Sequence, residues 1–347
     1  MEKIYIAAGG TGGHINAALS LGDEFKSSYV VKFISGTRYL DYQLFADYNC
    51  LHINSKPLRT KNPIKFILNT LFNIKVFISI FFKYLLNRPA FIVGAGGYVC
   101  GPALLAGKII GIPIFIIEQN AVVGMTNRIL SRFANMIFTN FKITKGLQAS
   151  TKIIQTGNPV RSQIKPSENI ILETVNILIF GGSLGATQIN KAIEIYVGLD
   201  QIKKLNIIHQ VGKNNINPSV FIGNNIDYTQ LEYINDMDEK YKWCNIIIAR
   251  SGASTVSELR VVKRPTLLIP FPLATDNHQY LNAKELKEED GFYVEIINHK
   301  LIGESLANEI AVGIKKIITD NKYYQKKIPN ENASSQIRKE IETYVRN

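Results

Sequence analysis

The stretch Ala7-Ala-Gly-Gly-Thr-Gly-Gly-His14 constrains this chain more than any other. It follows a β-type run, Lys3–Ala7, and leads into Ala17-Ala-Leu-Ser-Leu21, which reads as a helix. A strand, a loop with four glycines and a helix start make a cradle for an anion. Glycine lets the backbone come close to a ligand. The first N–H groups of a helix, and its dipole, favour negative charge. His14 stands at the mouth of that loop, where an imidazole can do proton chemistry. The arrangement returns later, where residues 176–180 run into Gly181-Gly-Ser-Leu-Gly-Ala186 and a helix-like stretch follows. Two strand–loop–helix units of this kind predict two similar α/β domains facing one cleft.

A chain of 347 residues is long for one core and suits two domains. Hydrophobic content of 46% and charged content of 20% are those of an ordinary soluble protein. The N-terminus already reads as a strand, so no secretory signal is expected. Cys50, Cys100 and Cys244 lie far apart without CxxC spacing, which fits a reducing compartment and neither a disulfide framework nor a zinc site. A net charge of +12 implies an acidic partner: nucleic acid, anionic lipid or a phosphorylated substrate.

That charge is unevenly placed. Residues 48–117 contain no Asp or Glu, yet hold Lys56, Arg59, Lys61, Lys65, Lys75, Lys83, Arg88 and Lys108. They also contain the most apolar helix candidate, 64–86, begun by Pro63. At helical spacing Ile67, Leu71, Ile74, Ile78, Phe81 and Leu85 form one face, expected to pack on the sheet. Phe66, Phe77, Ile80 and Tyr84 form a second stripe with no evident partner within the domain. Lysines interrupt the run too often for a transmembrane span. A helix lying on an anionic membrane, with Phe66, Phe77, Ile80, Tyr84, Lys65 and Lys83 as its patch, fits these residues. A helix held between protein layers fits them too.

The remaining chain alternates. Strand–glycine loop–helix recurs at 90–101, and a strand at 114–117 runs into Glu118-Gln-Asn120. Polar residues 162–175 read as a linker between domains 1–161 and 176–332, with helices at 302–320 and 333–346. Strands at 176–180, 206–210, 245–249 and 266–269 alternate with helices, the signature of a parallel sheet covered on both faces. Ligands in such sheets sit at the carboxyl ends of the strands. The glycines do not mark a dinucleotide site: GxGxxG read from Gly10 would put Ile15 at the third glycine, and Ser35-Gly36 replaces the acidic residue expected after the second strand. No GxxxxGK[ST] loop is present. Thr255-Val-Ser-Glu258 has the spacing of a capping box.

Seven blocks occur in one order: Gly9-Gly-Thr-Gly-Gly-His14, Gly96-Gly-Tyr-Val-Cys-Gly-Pro102, Glu118-Gln-Asn120, Gly157-Asn-Pro-Val-Arg161, Gly181-Gly-Ser-Leu-Gly-Ala186, Arg250-Ser-Gly-Ala-Ser-Thr-Val-Ser-Glu258 and His278-Gln-Tyr-Leu-Asn-Ala283. Together they resemble the MurG family, bacterial cell-wall N-acetylglucosaminyltransferases of the GT-B fold. Asn16 departs from the proline usual there. The resemblance implies two Rossmann-like parallel-sheet domains, with the C-terminal helix packing back on the first. It implies inverting transfer of GlcNAc from UDP-GlcNAc to the MurNAc C4 hydroxyl of undecaprenyl-diphospho-MurNAc-pentapeptide (lipid I), giving lipid II. No cofactor or metal is implied. The place of work would be the cytoplasmic face of the plasma membrane, as a peripheral protein.

Residue roles follow from the same resemblance. His14 is the expected general base on the acceptor hydroxyl, with a phosphate or donor contact as the rival role. Donor contacts are Thr11, Gly12, Gly13, Asn120, Arg161, Ser183 and Gln279. Ile234 would pack on the uracil, Ala253, Ser254, Thr255, Val256 and Ser257 would line the nucleotide pocket, and Glu258 would hold the ribose. Gly10, Gly97 and Tyr98 would meet the acceptor diphosphate. The rivals are a soluble UDP-GlcNAc 2-epimerase of the same fold, which has no need of the acid-free apolar segment, and a membrane adaptor with a vestigial nucleotide site. A nucleic-acid binder fits least, because the basic residues interleave with Phe and Ile on a helix.

Overall fold

The computed structural model describes residues 1–58, 60, 62–147, 152–166, 174–182, 185–199, 201, 203–289, 293–319 and 332–346. Arg59, Lys61, Ser183 and half of the expected linker, residues 167–173, lie outside the described residues. The chain forms two compact units, Met1–Arg161 with Glu331–Asn347, and Ser162–Asn330.

The first unit is built on seven parallel strands: β1 (Lys3–Ala7), β2 (Val30–Ser35), β3 (Cys50–His52), β4 (Ile92–Gly94), β5 (Ile114–Glu118), β6 (Met136–Thr139) and β7 (Lys152–Gln155). They lie in the order β3-β2-β1-β4-β5-β6-β7. Its helices are α1 (Gly12–Phe25), α2 (Tyr39–Leu44), α3 (Pro63–Leu86), α4 (Cys100–Ile109) and α5 (Met125–Leu130). Strand side chains alternate between faces. Ile4 and Ile6 enter one apolar layer with Phe25, Phe91 and Phe115, whereas Tyr5 and Ala7 enter the other with Tyr84 and Leu104. Both faces are covered, so the strands read as continuous apolar runs. The strand order reverses between β1 and β4, and the loops after those strands are the two N-terminal glycine loops.

The second unit has six parallel strands: β8 (Thr174–Phe180), β9 (Lys204–Gln210), β10 (Ile226–Leu231), β11 (Ile246–Ala249), β12 (Thr266–Leu268) and β13 (Val294–Ile296). Their order is β10-β9-β8-β11-β12-β13. Helices α6 (Thr187–Val197), α7 (Met237–Trp243), α8 (Ala253–Val262), α9 (His278–Lys287) and α10 (Gly303–Thr319) accompany them. Here the order reverses between β8 and β11. The third glycine loop and the Arg250–Glu258 block follow those two strands. The strands β10 and β13 were not foreseen. One is an edge strand of mixed polarity, and the other has three residues. The last helix, α11 (Ala333–Arg346), packs on α1 of the first unit. Its Ile337 and Ile341 are fully buried there, and Arg338 donates to Glu24 O at 2.7 Å and Ser28 Oγ at 2.7 Å.

Helix α3 corrects the sequence expectation. Ile80 and Tyr84, expected as membrane-facing, are buried, and the Tyr84 ring lies 5.3 Å from that of Tyr5. Phe77 and Phe81 are half-buried beside them. Of the expected patch, Phe66, Lys65 and Lys83 are exposed. Of the stripe expected to pack inward, Phe81 is half-buried, whereas Ile67, Leu71, Ile74, Ile78 and Leu85 are exposed instead. The cause is polar. Asn69 Nδ2 donates to Pro57 O at 2.7 Å, Asn73 Nδ2 donates to Lys56 O at 2.8 Å, and Asn73 Oδ1 accepts from Lys56 N at 2.9 Å. The two asparagines turn the helix toward the 55–57 loop, and the stripe beside them follows into the core. By length and composition α3 is also apolar enough to cross a membrane, lysines included.

Within the second unit, His209 on β9 is fully buried, its Nδ1 2.8 Å from Tyr228 Oη on β10. Burial pulls its pKa down to about 3. An unfolded histidine titrates near 6.5, so below that pH only the unfolded chain gains the proton. Stability from this group is complete above about pH 6.5 and falls by about 1.4 kcal/mol per pH unit toward the folded value. We expect the urea midpoint to drop between about pH 7 and pH 5 more steeply in the native chain than in His209→Gln. Parallel slopes would remove His209 from the acid sensitivity.

Candidate active site

In the first unit the site grows from the switch point. Thr11 caps α1, its hydroxyl accepting from His14 N at 3.4 Å, so Gly12, Gly13 and His14 form the first turn. The His14 ring turns back on its own loop, with Nδ1 3.1 Å from Gly9 O. A carbonyl only accepts, so Nδ1 carries the hydrogen and, in the neutral ring, Nε2 carries the lone pair. The loop after β4 makes room for this. A Cβ on Gly96 would lie 2.5 Å from His14 Cδ2, and one on Gly97 would lie 2.2 Å from Gly9 O. Both glycines also have positive φ, at 113° and 90°.

Residues 36–41, none of them among the expected site residues, complete this edge. Asp41 is buried and accepts from Ser35 Oγ at 2.9 Å, Arg38 N at 3.2 Å and Gly10 N at 3.4 Å. Arg38 Nη1 donates to Gly10 O at 3.1 Å, and its guanidinium lies 5.3 Å from the Tyr98 ring centroid. The structure thus brings Gly10, Thr11, Gly12, Gly13, His14, Gly97 and Tyr98 together at one edge.

Asn120 sits on the loop after β5, shaped by Glu118. That buried carboxylate accepts from Asn120 N at 3.0 Å, Gly124 N at 3.1 Å and Asn127 Nδ2 at 2.9 Å. Burial raises its pKa, and these hydrogen bonds oppose the rise. Arg161 is half-buried at the end of the unit.

In the second unit, α8 begins at Ala253 with Gly252 as its cap. Thr255 therefore lies inside the first turn, and the capping-box reading of Thr255–Glu258 is overturned. Glu258 is buried and Oε2 accepts from Tyr241 Oη on α7 at 2.7 Å. Sequence spacing held no signal for that pair. Ala253, Ser254 and Thr255 are half-buried, whereas Val256 and Ser257 point inward. Ile234 is 3% exposed. Its side chain thus has almost no surface to lay on a base. Gln279 stands in the first turn of α9, half-buried, with Oε1 accepting from Phe271 N at 2.9 Å. Among the described residues no group of three or more His, Cys, Asp or Glu is placed to hold a metal.

Two parallel α/β sheets with glycine loops and helix N-termini at both switch points make this a protein of the GT-B fold class. The chain belongs to glycosyltransferase family 28: the N-terminal domain model of that family matches residues 4–139 and the C-terminal domain model residues 176–342. It is 32% identical to the UDP-N-acetylglucosamine–N-acetylmuramyl-(pentapeptide) pyrophosphoryl-undecaprenol N-acetylglucosamine transferase of Myxococcus xanthus, over 89% of this chain and 84% of that one. It is 35% identical to the enzyme of the same name from Pseudomonas savastanoi, over 84% of each. Its fold matches Acinetobacter baumannii MurG with a TM-score of 0.77 at 26% identity, covering 99% of this chain and 100% of that one. A Neisseria meningitidis UDP-GlcNAc 2-epimerase shares the fold at 17% identity, TM-score 0.65, covering 99% of this chain and 100% of that one.

The contact between His14 and Gly96 is testable. Gly96→Ala is expected to push the imidazole aside and lower glycosyl transfer by about 100-fold, the cost of misplacing a reacting group by about 1 Å. The thermal midpoint should move by only a few degrees, as for about 1 kcal/mol of backbone strain. Unchanged transfer would show that the ring has no fixed position to lose.

Proposed function

We propose that this chain moves GlcNAc from UDP-GlcNAc to the MurNAc C4 hydroxyl of undecaprenyl-diphospho-MurNAc-pentapeptide, yielding lipid II for peptidoglycan synthesis and, through it, cell shape and division. The observation that carries the reading is the His14–Gly9 hydrogen bond, which fixes the tautomer a general base needs. His14 Nε2 takes the proton of the C4 hydroxyl as that oxygen attacks the anomeric carbon from the face opposite UDP. The bond to the diphosphate breaks with its electron pair, and configuration inverts. Negative charge gathers on the leaving UDP, where helix N-termini and glycine-loop amides stabilise it. Glu258 holds the ribose, its carboxylate oriented by the Tyr241 bond. Asn120, Arg161, Ser183 and Gln279 complete the donor contacts, with Thr11, Gly12 and Gly13 at the first loop. Gly10, Gly97 and Tyr98 meet the acceptor diphosphate.

UDP-GlcNAc with a lipid I analogue should yield the disaccharide product. His14→Ala should depress turnover by at least about 100-fold with little change in UDP-GlcNAc affinity. Release of ManNAc or UDP-ManNAc would favour the epimerase, and no turnover with intact vesicle binding would favour the adaptor.

We further propose that α3 seats the protein on the anionic cytoplasmic face of the plasma membrane. The patch is the exposed stripe, Ile67, Leu71, Ile74, Ile78 and Leu85, flanked by Lys75, with Lys65 and Lys83 exposed farther round the helix. Leu71→Glu with Ile78→Glu should reduce partitioning onto anionic vesicles by at least about 10-fold. Transfer to a water-soluble acceptor analogue should change by less than about two-fold, because the substitutions remove a seat and not a site. Unchanged partitioning would return the stripe to an ordinary surface.

A further inference from the structure

We infer that Arg250 sets the polarity with which Gln279 meets the sugar of the donor, so that Gln279 turns its amide NH₂ to it as a hydrogen-bond donor. The inference rests on the reading of Gln279 as a sugar contact and goes further, to the chemistry of that contact.

A glutamine amide offers an acceptor on one side and two donors on the other. Which side a ligand meets depends on what holds the amide. In Gln279 the oxygen is turned to the protein: Oε1 accepts from the backbone N–H of Phe271 at 2.9 Å. The reverse orientation would set an NH₂ against an N–H. The NH₂ is thereby held on the other side of the amide, where it donates to a sugar hydroxyl oxygen.

Phe271 N–H has its place because of Arg250. This arginine stands just past β11 and is 6% exposed. Its Nη1 donates to Ile269 O at 3.0 Å and to Pro270 O at 2.9 Å, the two carbonyls immediately before Phe271. Its guanidinium carbon lies 5.6 Å from the Phe271 ring centroid. Nη2 donates to Gln188 Oε1 at 3.0 Å, and Gln188 Nε2 donates onward to His299 O at 2.9 Å and Leu301 O at 2.6 Å. One planar cation thus ties the turn after β12, the turn after β13 and the start of α6. Among the described residues no carboxylate forms an ion pair with it. Burial lowers its pKa to about 10, which still leaves it charged at neutral pH. A buried charge without a counter-ion must be met by oriented dipoles. Here those dipoles are the carbonyls that set the loop. Lysine cannot copy this, because an ammonium lacks the planar fork that reaches several acceptors at fixed angles.

The other end of Gln279 is also pinned. Ser251 Oγ donates to Gln279 O at 2.8 Å, and Asn282 Nδ2 donates to Ser251 O at 3.2 Å. The segment 250–251 therefore holds Gln279 through its backbone and, by way of Phe271, through its side chain.

The test is equilibrium binding by calorimetry on the full chain, with UDP and UDP-GlcNAc compared. Gln279→Glu keeps the shape and an acceptor for Phe271 N–H but removes the donor. It should weaken UDP-GlcNAc by about 10-fold or more, the order of one lost hydrogen bond to a sugar hydroxyl, and leave UDP within about two-fold. Arg250→Lys, checked by its thermal midpoint, should show the same split. UDP-GlcNAc affinity unchanged in Gln279→Glu would overturn the donor role. Equal losses of UDP and UDP-GlcNAc in Arg250→Lys, or no loss, would overturn the relay. If the native chain binds UDP no more weakly than UDP-GlcNAc, the sugar-contact reading itself fails, which is a separate outcome.

Discussion

A single carbonyl, that of Gly9, organises the first unit's site. It accepts the His14 ring at 3.1 Å, and Gly97 packs against it so closely that one added carbon would lie 2.2 Å away. The bond decides which ring nitrogen carries hydrogen, and the close packing prevents that carbonyl from turning. Both depend on β1 and β4 being neighbours, since only adjacent parallel strands bring the two loops side by side. The topology of the sheet and the protonation of one imidazole are thus linked through one backbone oxygen.

Buried charges do similar work in both units. Asp41, Glu118, Glu258 and Arg250 are each buried, and each is bonded to loop backbone or to a hydroxyl. A desolvated charge is costly unless dipoles are aimed at it. Aiming those dipoles requires that loops take one conformation. Asp41, Glu118 and Arg250 therefore each convert a flexible connection at a strand end into a fixed one, which a preorganised site needs, whereas Glu258 ties two helices.

Much of this architecture was legible in the sequence. Alternating apolar strands and helices declared two parallel sheets, and the glycine loops declared anion cradles at strand ends, which the structure places where the strand order reverses. What was not legible was long-range or rotational. A helical wheel shows that α3 has two apolar stripes, but it cannot say which faces inward. That was decided by Asn69 and Asn73 meeting the 55–57 loop, a contact with no local signature. Thr255 to Glu258 has capping-box spacing, yet the helix starts at Ala253 because Gly252 can take the cap position. Glu258 instead finds Tyr241 on another helix. The web around Arg250 joins residues from 188 to 301 and exists only once the sheet has formed. Spacing rules see neighbours along one element, and these partners come from different elements.

The same asparagines bear on how α3 can meet a bilayer. Its length and apolarity would permit a crossing. To cross, it would have to leave α4 and bring Asn69 and Asn73 into hydrocarbon without the backbone of residues 56 and 57. Each unmet polar group there costs several kcal/mol, on the order of what burying a large apolar side chain returns. The inner stripe would also give up Tyr5 and the sheet. Lying flat requires none of these losses, since the exposed stripe is already turned outward. The lysines suit the flat arrangement, because their long stems can cover apolar surface while the ammonium groups stay at headgroup depth. On the proposed reading, then, the contacts that rotated α3 away from the expected face are also those that keep it at the membrane surface.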